Sequence, residues 1–362
     1  MSTNMIHVVY LAAVLPVMST AIAAAPSAAA GFSAEFEFAP IKGLSPGDDR
    51  IVRRDPSDII RSDGQYYVWY TRITPDQHGY PTGYPDEVWY ATSEDGHSWI
   101  ERGRAIPKGQ PDSWDACGVF TPNILFAKQK YYLFYTAVPD RFSNYPHGPH
   151  RNDEPPATPT AIGVAVSNSP GGPWTKSEDN PVLKPAGRYE AWDNFRVDDA
   201  CLITYKGKYW LYYKGRASKP GQVWWGPTPM GVAIAENPSG PYVKSNANPL
   251  VRAGHEMLVW PHGPGVAAYA KQGGVWYSRD GLRFEQAMDT SAKPVVGAAG
   301  AYRRDAFEDD GCGVTGSLGG CATAPGRAYW GFRDSSAIFA PGADSAFDSE
   351  CHKWHVIELR PC

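Results

Sequence analysis

Three strings in the sequence are versions of one another: YYVWY at 66–70, YYLFY at 131–135 and YWLYY at 209–213. Each follows an apolar run and a short polar turn (SDGQ, AKQK, YKGK), so each reads as the second strand of a β-hairpin. Downstream stand further related strands: VWYATSEDGHSW at 88–99, IGVAVSNSPGGPW at 162–174, MGVAIAENPSGPY at 230–242 and VWYSRDGLRF at 275–284. Each has alternating apolar residues, a polar turn with glycine, and an aromatic that opens an outer strand. The unit is therefore about four antiparallel strands in roughly 60 to 80 residues. Units beginning near Asp55, Thr121, Asp198, His255 and Arg304 make five. Four-stranded sheets repeated around an axis hide their edges by closing a ring. The expectation is an all-β, five-bladed β-propeller, formed as a single domain over residues 31–362. A β-sandwich would not explain the matching motif at the start of successive units.

Composition agrees with this reading. Aromatic residues make up 13% of the chain, with 37 Gly and 33 Pro, as expected of turn-rich, strand-rich folds. The formal net charge of −4 and the lack of a basic stripe argue against a nucleic-acid partner. Val8 to Ala25 is mostly apolar and ends in small residues, with Ala21-Ile22-Ala23 suiting a cleavage site, so residues 1–25 read as an export signal. This predicts a periplasmic or secreted protein. No second apolar stretch is long enough to span a bilayer, so no membrane partner is expected. Cys312 with Cys321 and Cys351 with Cys362 suit local disulfides in an oxidising compartment, whereas Cys117 and Cys201 read either as buried thiols or as a third pair. The Pro- and His-rich segment 139–158 reads as a surface loop near the channel mouth.

In a propeller the innermost strand of each blade lines the channel. Aligned on the hairpins, Asp55 lies nine residues before Gly64, Asp198 nine before Gly207, and Thr121 nine before Lys130. Three units would thus aim Asp55, Thr121 and Asp198 at one axis. A turn or capping role explains either aspartate alone, but recurrence at one register favours a site. The fourth unit supplies His255 and Glu256 just before an apolar strand. Several acids and a histidine around a pocket are what glycosidic bond cleavage needs: a proton donor for the leaving oxygen and a base for water. Crowded carboxylates also push one another's pKa upward. The chain contains no GxSxG, P-loop or HExxH motif. The same acids and histidines could hold a divalent cation such as Zn, Mg or Ca.

RRDPSDII with YYVWYT, DACGVFTPNIL, DNFRVDDACL with YWLYYKGR, MGVAIAENPSGPYVK and GHEMLVWPHG together resemble glycoside hydrolase family 117, over about residues 35 to 290. That family is a group of five-bladed propellers distantly related to family 43. The resemblance implies an exo-acting, inverting enzyme that removes α-1,3-linked 3,6-anhydro-L-galactose from the non-reducing end of neoagaro-oligosaccharides. It implies Asp55 as general base, Asp198 as the residue that orients the site or tunes its pKa values, His255 as general acid and Glu256 as a neighbouring essential carboxylate. Which of His255 and Glu256 delivers the proton stays open. Thr121, Asn123 and Arg216 stand as candidate sugar contacts, each with a structural hydrogen-bonding role as the alternative. The family is also associated with a divalent ion. Two features depart from its pattern. Only about ten residues separate the export signal from Phe36, so the helical arm that swaps between subunits to make a dimer is not expected. The cysteine-rich C-terminal part is also unlike a plain propeller. The rival readings are a family-43-like glycosidase acting on arabinose or galactose, and a non-catalytic sugar-binding propeller. The full set of acids favours an enzyme.

Overall fold

The computed structural model describes residues 34–44, 51–73, 87–140, 159–218, 228–252, 257–270, 275–288, 298–301, 329–333 and 355–361. The export signal, most of the 139–158 segment, His255, Glu256, Arg304 and four of the six cysteines lie outside these residues. No helix among the described residues is long and apolar enough to cross a membrane.

The described elements are all strands, and they form antiparallel sheets in the order of the chain. Strand β1 (Ala34–Pro40) is the exception, because it joins the last sheet. The first sheet holds β2 (Val52–Arg54), β3 (Ile60–Ser62), β4 (Gln65–Ile73), β5 (Glu87–Ser93) and β6 (Trp99–Ile106). The second holds β7 (Gly118–Ala127), β8 (Lys130–Val138), β9 (Ala161–Ser167) and β10 (Thr175–Lys176). The third holds β11 (Arg196–Tyr205), β12 (Lys208–Arg216), β13 (Met230–Ala235) and β14 (Val243–Lys244). The fourth holds β15 (Met257–His262), β16 (Gly265–Ala270), β17 (Val275–Ser278) and β18 (Glu285–Met288). The last combines β19 (Ala298–Ala301), β20 (Tyr329–Arg333) and β21 (His355–Pro361) with β1 on the outside.

This is an all-β propeller. Four of its sheets have the four-strand form that the repeat predicts. The first sheet departs from it, because β2 and β3 both pair with β4 as two halves of one interrupted inner strand. The structure therefore shows four blades of the four-stranded form rather than the five that the repeat predicts. The last sheet also departs from a strictly sequential unit. Its outer strand comes from the other end of the chain, in a register that sets Ala34 opposite Pro361.

The hairpins follow from turn chemistry. Asp63-Gly64 and Lys206-Gly207 each put both central residues at positive φ (48° and 83°, 52° and 69°), the two-residue turn whose twist matches paired strands. Lys128-Gln129 does the same at 49° and 59° without a glycine. Between sheets the aromatic strands interlock. Ile60, Trp69 and Val88 of the first sheet pack on Ile124 and Leu133 of the second. Phe134 and Val164 pack on Leu202 and Leu211 of the third, and Ile203 and Tyr212 pack on Val259 and Val266 of the fourth. Cys117 and Cys201 are both thiols, so the third-disulfide alternative falls. Buried Cys201 instead accepts a hydrogen bond at its Sγ from the Val259 amide at 3.3 Å, tying β11 to β15.

Candidate active site

The inner strands share one irregularity. In β7 the pairing with β8 slips between Phe120 and Asn123, and in β11 the pairing with β12 slips between Asp198 and Cys201. Each slip is a β-bulge whose first extra residue is left-handed: Thr121 at φ 43° and Asp199 at φ 51°. In the first sheet the break between β2 and β3 opens on Asp55, at φ 50°. Such a backbone is strained for a residue with a side chain, and it turns that side chain out of the regular alternation.

The ladder registers then fix which residues are equivalent. Arg54 pairs with Thr71, Phe120 with Thr136, and Asp198 with Lys214. The next residue on each inner strand is the left-handed one. Asp55, Thr121 and Asp199 are therefore the matched set, and Asp198 precedes it by one residue. The sequence alignment that matched Asp198 with Asp55 needs this one-residue correction. Its cause is one more residue in the break of the first inner strand: Asp55 lies nine residues before Gly64, whereas Asp199 lies eight before Gly207 and Thr121 eight before Gln129, the turn counterpart of those glycines.

Around Asp55 the site is dense with partners. The residue is 4% exposed. It forms an ion pair with Arg54 Nε at 3.2 Å and accepts from the Thr71 hydroxyl at 3.4 Å. The same Thr71 oxygen accepts from the Thr121 amide at 3.0 Å, linking the first two sheets at their left-handed residues. The Thr121 and Thr136 hydroxyls share a hydrogen bond of 2.5 Å. In the third sheet the Lys214 ammonium pairs with the Asp199 carboxylate and stands 3.5 Å from Asp198 Oδ1. Arg216 is half-buried on the same strand. Burial pushes its guanidinium below its ordinary pKa, against the opposing charges of Asp198 and Asp199.

Asn123 is only 2% exposed, and both ends of its amide are engaged. Its Nδ2 donates to Asp58 Oδ2 at 3.0 Å, and its Oδ1 accepts from the Leu202 amide at 3.1 Å, so it joins three sheets. Asp58 is thereby the structural aspartate of the RRDPSD string. Arg53 turns away to Glu101 at 2.8 Å, which leaves Arg54 as the partner of Asp55. Met257, the first residue of β15, directly follows His255 and Glu256. Among the described residues, no group of three or more His, Cys, Asp or Glu side chains could hold a metal ion.

One tier further out lies a set that the sequence reading missed. Tyr70, Tyr135 and Tyr213 each stand one residue before the second-strand partner of the matched set. Each bears on a carboxylate. Tyr70 donates to Glu101 at 2.7 Å and Tyr213 to Asp193 at 2.9 Å, while the charge of Asp115 bears on Tyr135. Burial, then these carboxylates, pushes all three phenols upward, so they stay protonated. In the second and third sheets the match extends further. Trp114 stacks on Tyr135 and Trp192 on Tyr213, at 5.7 and 5.5 Å between ring centroids. Lys176 and Lys244 each reach the aspartate at 2.5 Å. Asn180 and Asn248 each bind the amide and carbonyl of one β-strand residue, Val164 or Val232. The paired Trp-Asp strings and the matching Lys-x-x-x-Asn spacings were the available signal.

The profile of Glycosyl hydrolases family 43 matches residues 50–214, the stretch that carries Asp55, Thr121 and Asp199. No curated protein matches the chain. Among solved structures, the catalytic domain of the Coprinopsis cinerea GH62 α-L-arabinofuranosidase superposes with a TM-score of 0.54 at 12% identity, over 90% of this chain and 97% of that one. Fructan 1-exohydrolase IIa from Cichorium intybus gives 0.50 at 14% identity, over 90% of this chain and 57% of that one. Both likenesses concern the fold. Zg3597, a family 117 glycoside hydrolase from the marine bacterium Zobellia galactanivorans, is 31% identical over 90% of each chain, with a TM-score of 0.68. At that identity and coverage, the chain belongs to glycoside hydrolase family 117.

Proposed function

We propose that the protein is an exo-acting, inverting hydrolase that releases 3,6-anhydro-L-galactose from the non-reducing end of neoagarobiose and longer neoagaro-oligosaccharides. The observation that carries this reading is the environment of Asp55. It is a nearly buried carboxylate on a left-handed break of the inner strand, paired with Arg54 and steadied by Thr71. A carboxylate paired with a guanidinium stays ionised at neutral pH, which a base needs to take a proton from water. In this reading Asp55 activates the water. Asp198 and Asp199 supply fixed negative charge opposite it, with Asp199 the nearer equivalent by register. His255 and Glu256 protonate the leaving oxygen between them. Thr121 and Arg216 contact the sugar. The chain acts in the periplasm or outside the cell after its export signal is removed.

The test is incubation of the purified protein with neoagarobiose, followed by proton NMR. Galactose and 3,6-anhydro-L-galactose should appear, the first anomer being inverted. Turnover of arabinosides with none of neoagarobiose would overturn the substrate, and retention would remove the water-activating role of Asp55.

A further inference from the structure

We propose that Lys214 is a positioning residue for the reaction, holding the Asp199 carboxylate ionised and oriented from the strand behind it; this rests on the glycosidase reading above. The argument comes from a rule that three sheets repeat. Wherever an inner strand breaks into a left-handed residue, the second strand sets a buried polar side chain beside it. For Asp55 that side chain is Thr71, at 3.4 Å. For Thr121 it is Thr136, at 2.5 Å. For Asp199 it is Lys214, whose ammonium bonds the carboxylate and stands near Asp198 as well. Thr71 and Thr136 are fully buried and Lys214 is 6% exposed.

Lysine is the costly choice of the three. An ammonium loses its hydration on burial, and a threonine would suffice if a hydrogen bond were all the position required. What distinguishes the third sheet is two consecutive carboxylates. Side by side they repel, and each would be driven to take up a proton unless a cation faced both. The charged groups bearing on Asp199 include Asp198 on its own strand and Lys214 and Arg216 on β12. Lys214 alone lies at the register position that in the other sheets steadies the left-handed residue. A carboxylate held charged and fixed can meet the positive charge that grows at the anomeric carbon without reorganising.

The test uses the full chain with Lys214→Met, Lys214→Arg and Asp199→Asn, each checked by thermal melting. Lys214→Met should lower kcat by about 100-fold while KM changes little, and Lys214→Arg should recover about tenfold of that. In the Asp199→Asn background, Lys214→Met should cost almost nothing more. An independent reading is the 13C titration of the aspartate carboxyls, with the Asp199 signal identified by its loss in Asp199→Asn. Its midpoint should rise by about one pH unit or more in Lys214→Met. An unmoved midpoint, or an equal loss of kcat with and without Asp199, overturns the proposal. Should Lys214→Met not fold, the reciprocal measurement decides: Asp199→Asn should lower the midpoint of the Lys214 ammonium, read by 15N NMR, and no change overturns it. A wild-type chain that cleaves none of the sugars defeats the glycosidase reading alone, since the carboxyl titration still reads the Lys214–Asp199 pair.

Discussion

The second and third sheets carry two kinds of polar position, and these have diverged in opposite ways. On the outer tier the residues are identical: Trp114 and Trp192, Asp115 and Asp193, Tyr135 and Tyr213, Lys176 and Lys244, Asn180 and Asn248. At the inner-strand break they differ, Thr121 with Thr136 behind it in one sheet and Asp199 with Lys214 in the other. Fastening a loop to the flank of a sheet is the same task in every blade, so one solution serves twice. A sugar on the axis has no rotational symmetry, so the blades cannot all present the same group to it. Residues that repeat across blades point to packing, whereas a repeated backbone bearing changed chemistry points to a site.

Substitutions can break this division or sharpen it. The largest effect is expected at Asp55. Asp55→Asn keeps shape but not charge, and kcat should fall by about 100- to 10,000-fold while the melting temperature stays within about 2 °C. A collapse of the fold in that variant would move Asp55 to the packing class. Next come Trp114→Ala and Trp192→Ala, which should destabilise the protein by about 3–5 kcal/mol each in denaturant unfolding. Kinetics per folded molecule should stay unchanged. A loss of kcat in Trp192→Ala comparable with that of Asp55→Asn would erase the distinction between the tiers. The smallest effect tests the glycine-free turn of the second sheet. Gln129→Gly should stabilise by roughly 0.5 kcal/mol, as relief of left-handed strain outweighs the added chain entropy of glycine. A lower midpoint would show that the Gln129 side chain itself holds the turn.

Much of the architecture could be read from the residues, because aromatic hairpins and Gly-marked turns are local signals. Asp55 stood out because Gly64 marks its hairpin. The match of Asp55 with Asp199 was hidden because the break between β2 and β3 holds one residue more than the bulge of β11, so equal spacing from the turn glycine pointed to Asp198. Bulges are also silent in sequence, since the pairing partner decides them. Asn123 stood equally as a sugar contact or a structural hydrogen-bonding residue, and the tertiary structure shows both ends of its amide engaged between sheets. The outer fasteners were spelled out twice in the chain, yet they resembled ordinary core aromatics until Gly163 and Gly231 revealed their purpose. A Cβ at either glycine would stand within 2.7 Å of the neighbouring indole.

The pairing of β1 with β21 has a consequence for synthesis. Ala34 leaves the ribosome long before its partner Pro361. Until the C-terminal strand arrives, residues 34–40 have no neighbour on that edge, and the intermediate sheets must form with the ring still open. Local hairpins can assemble as they emerge, but among the described strand pairs this seam carries the largest loop-closure cost. An interrupted or truncated chain would therefore keep most of its sheets and still present two bare β-edges, the form of incomplete propeller most prone to pair with another copy.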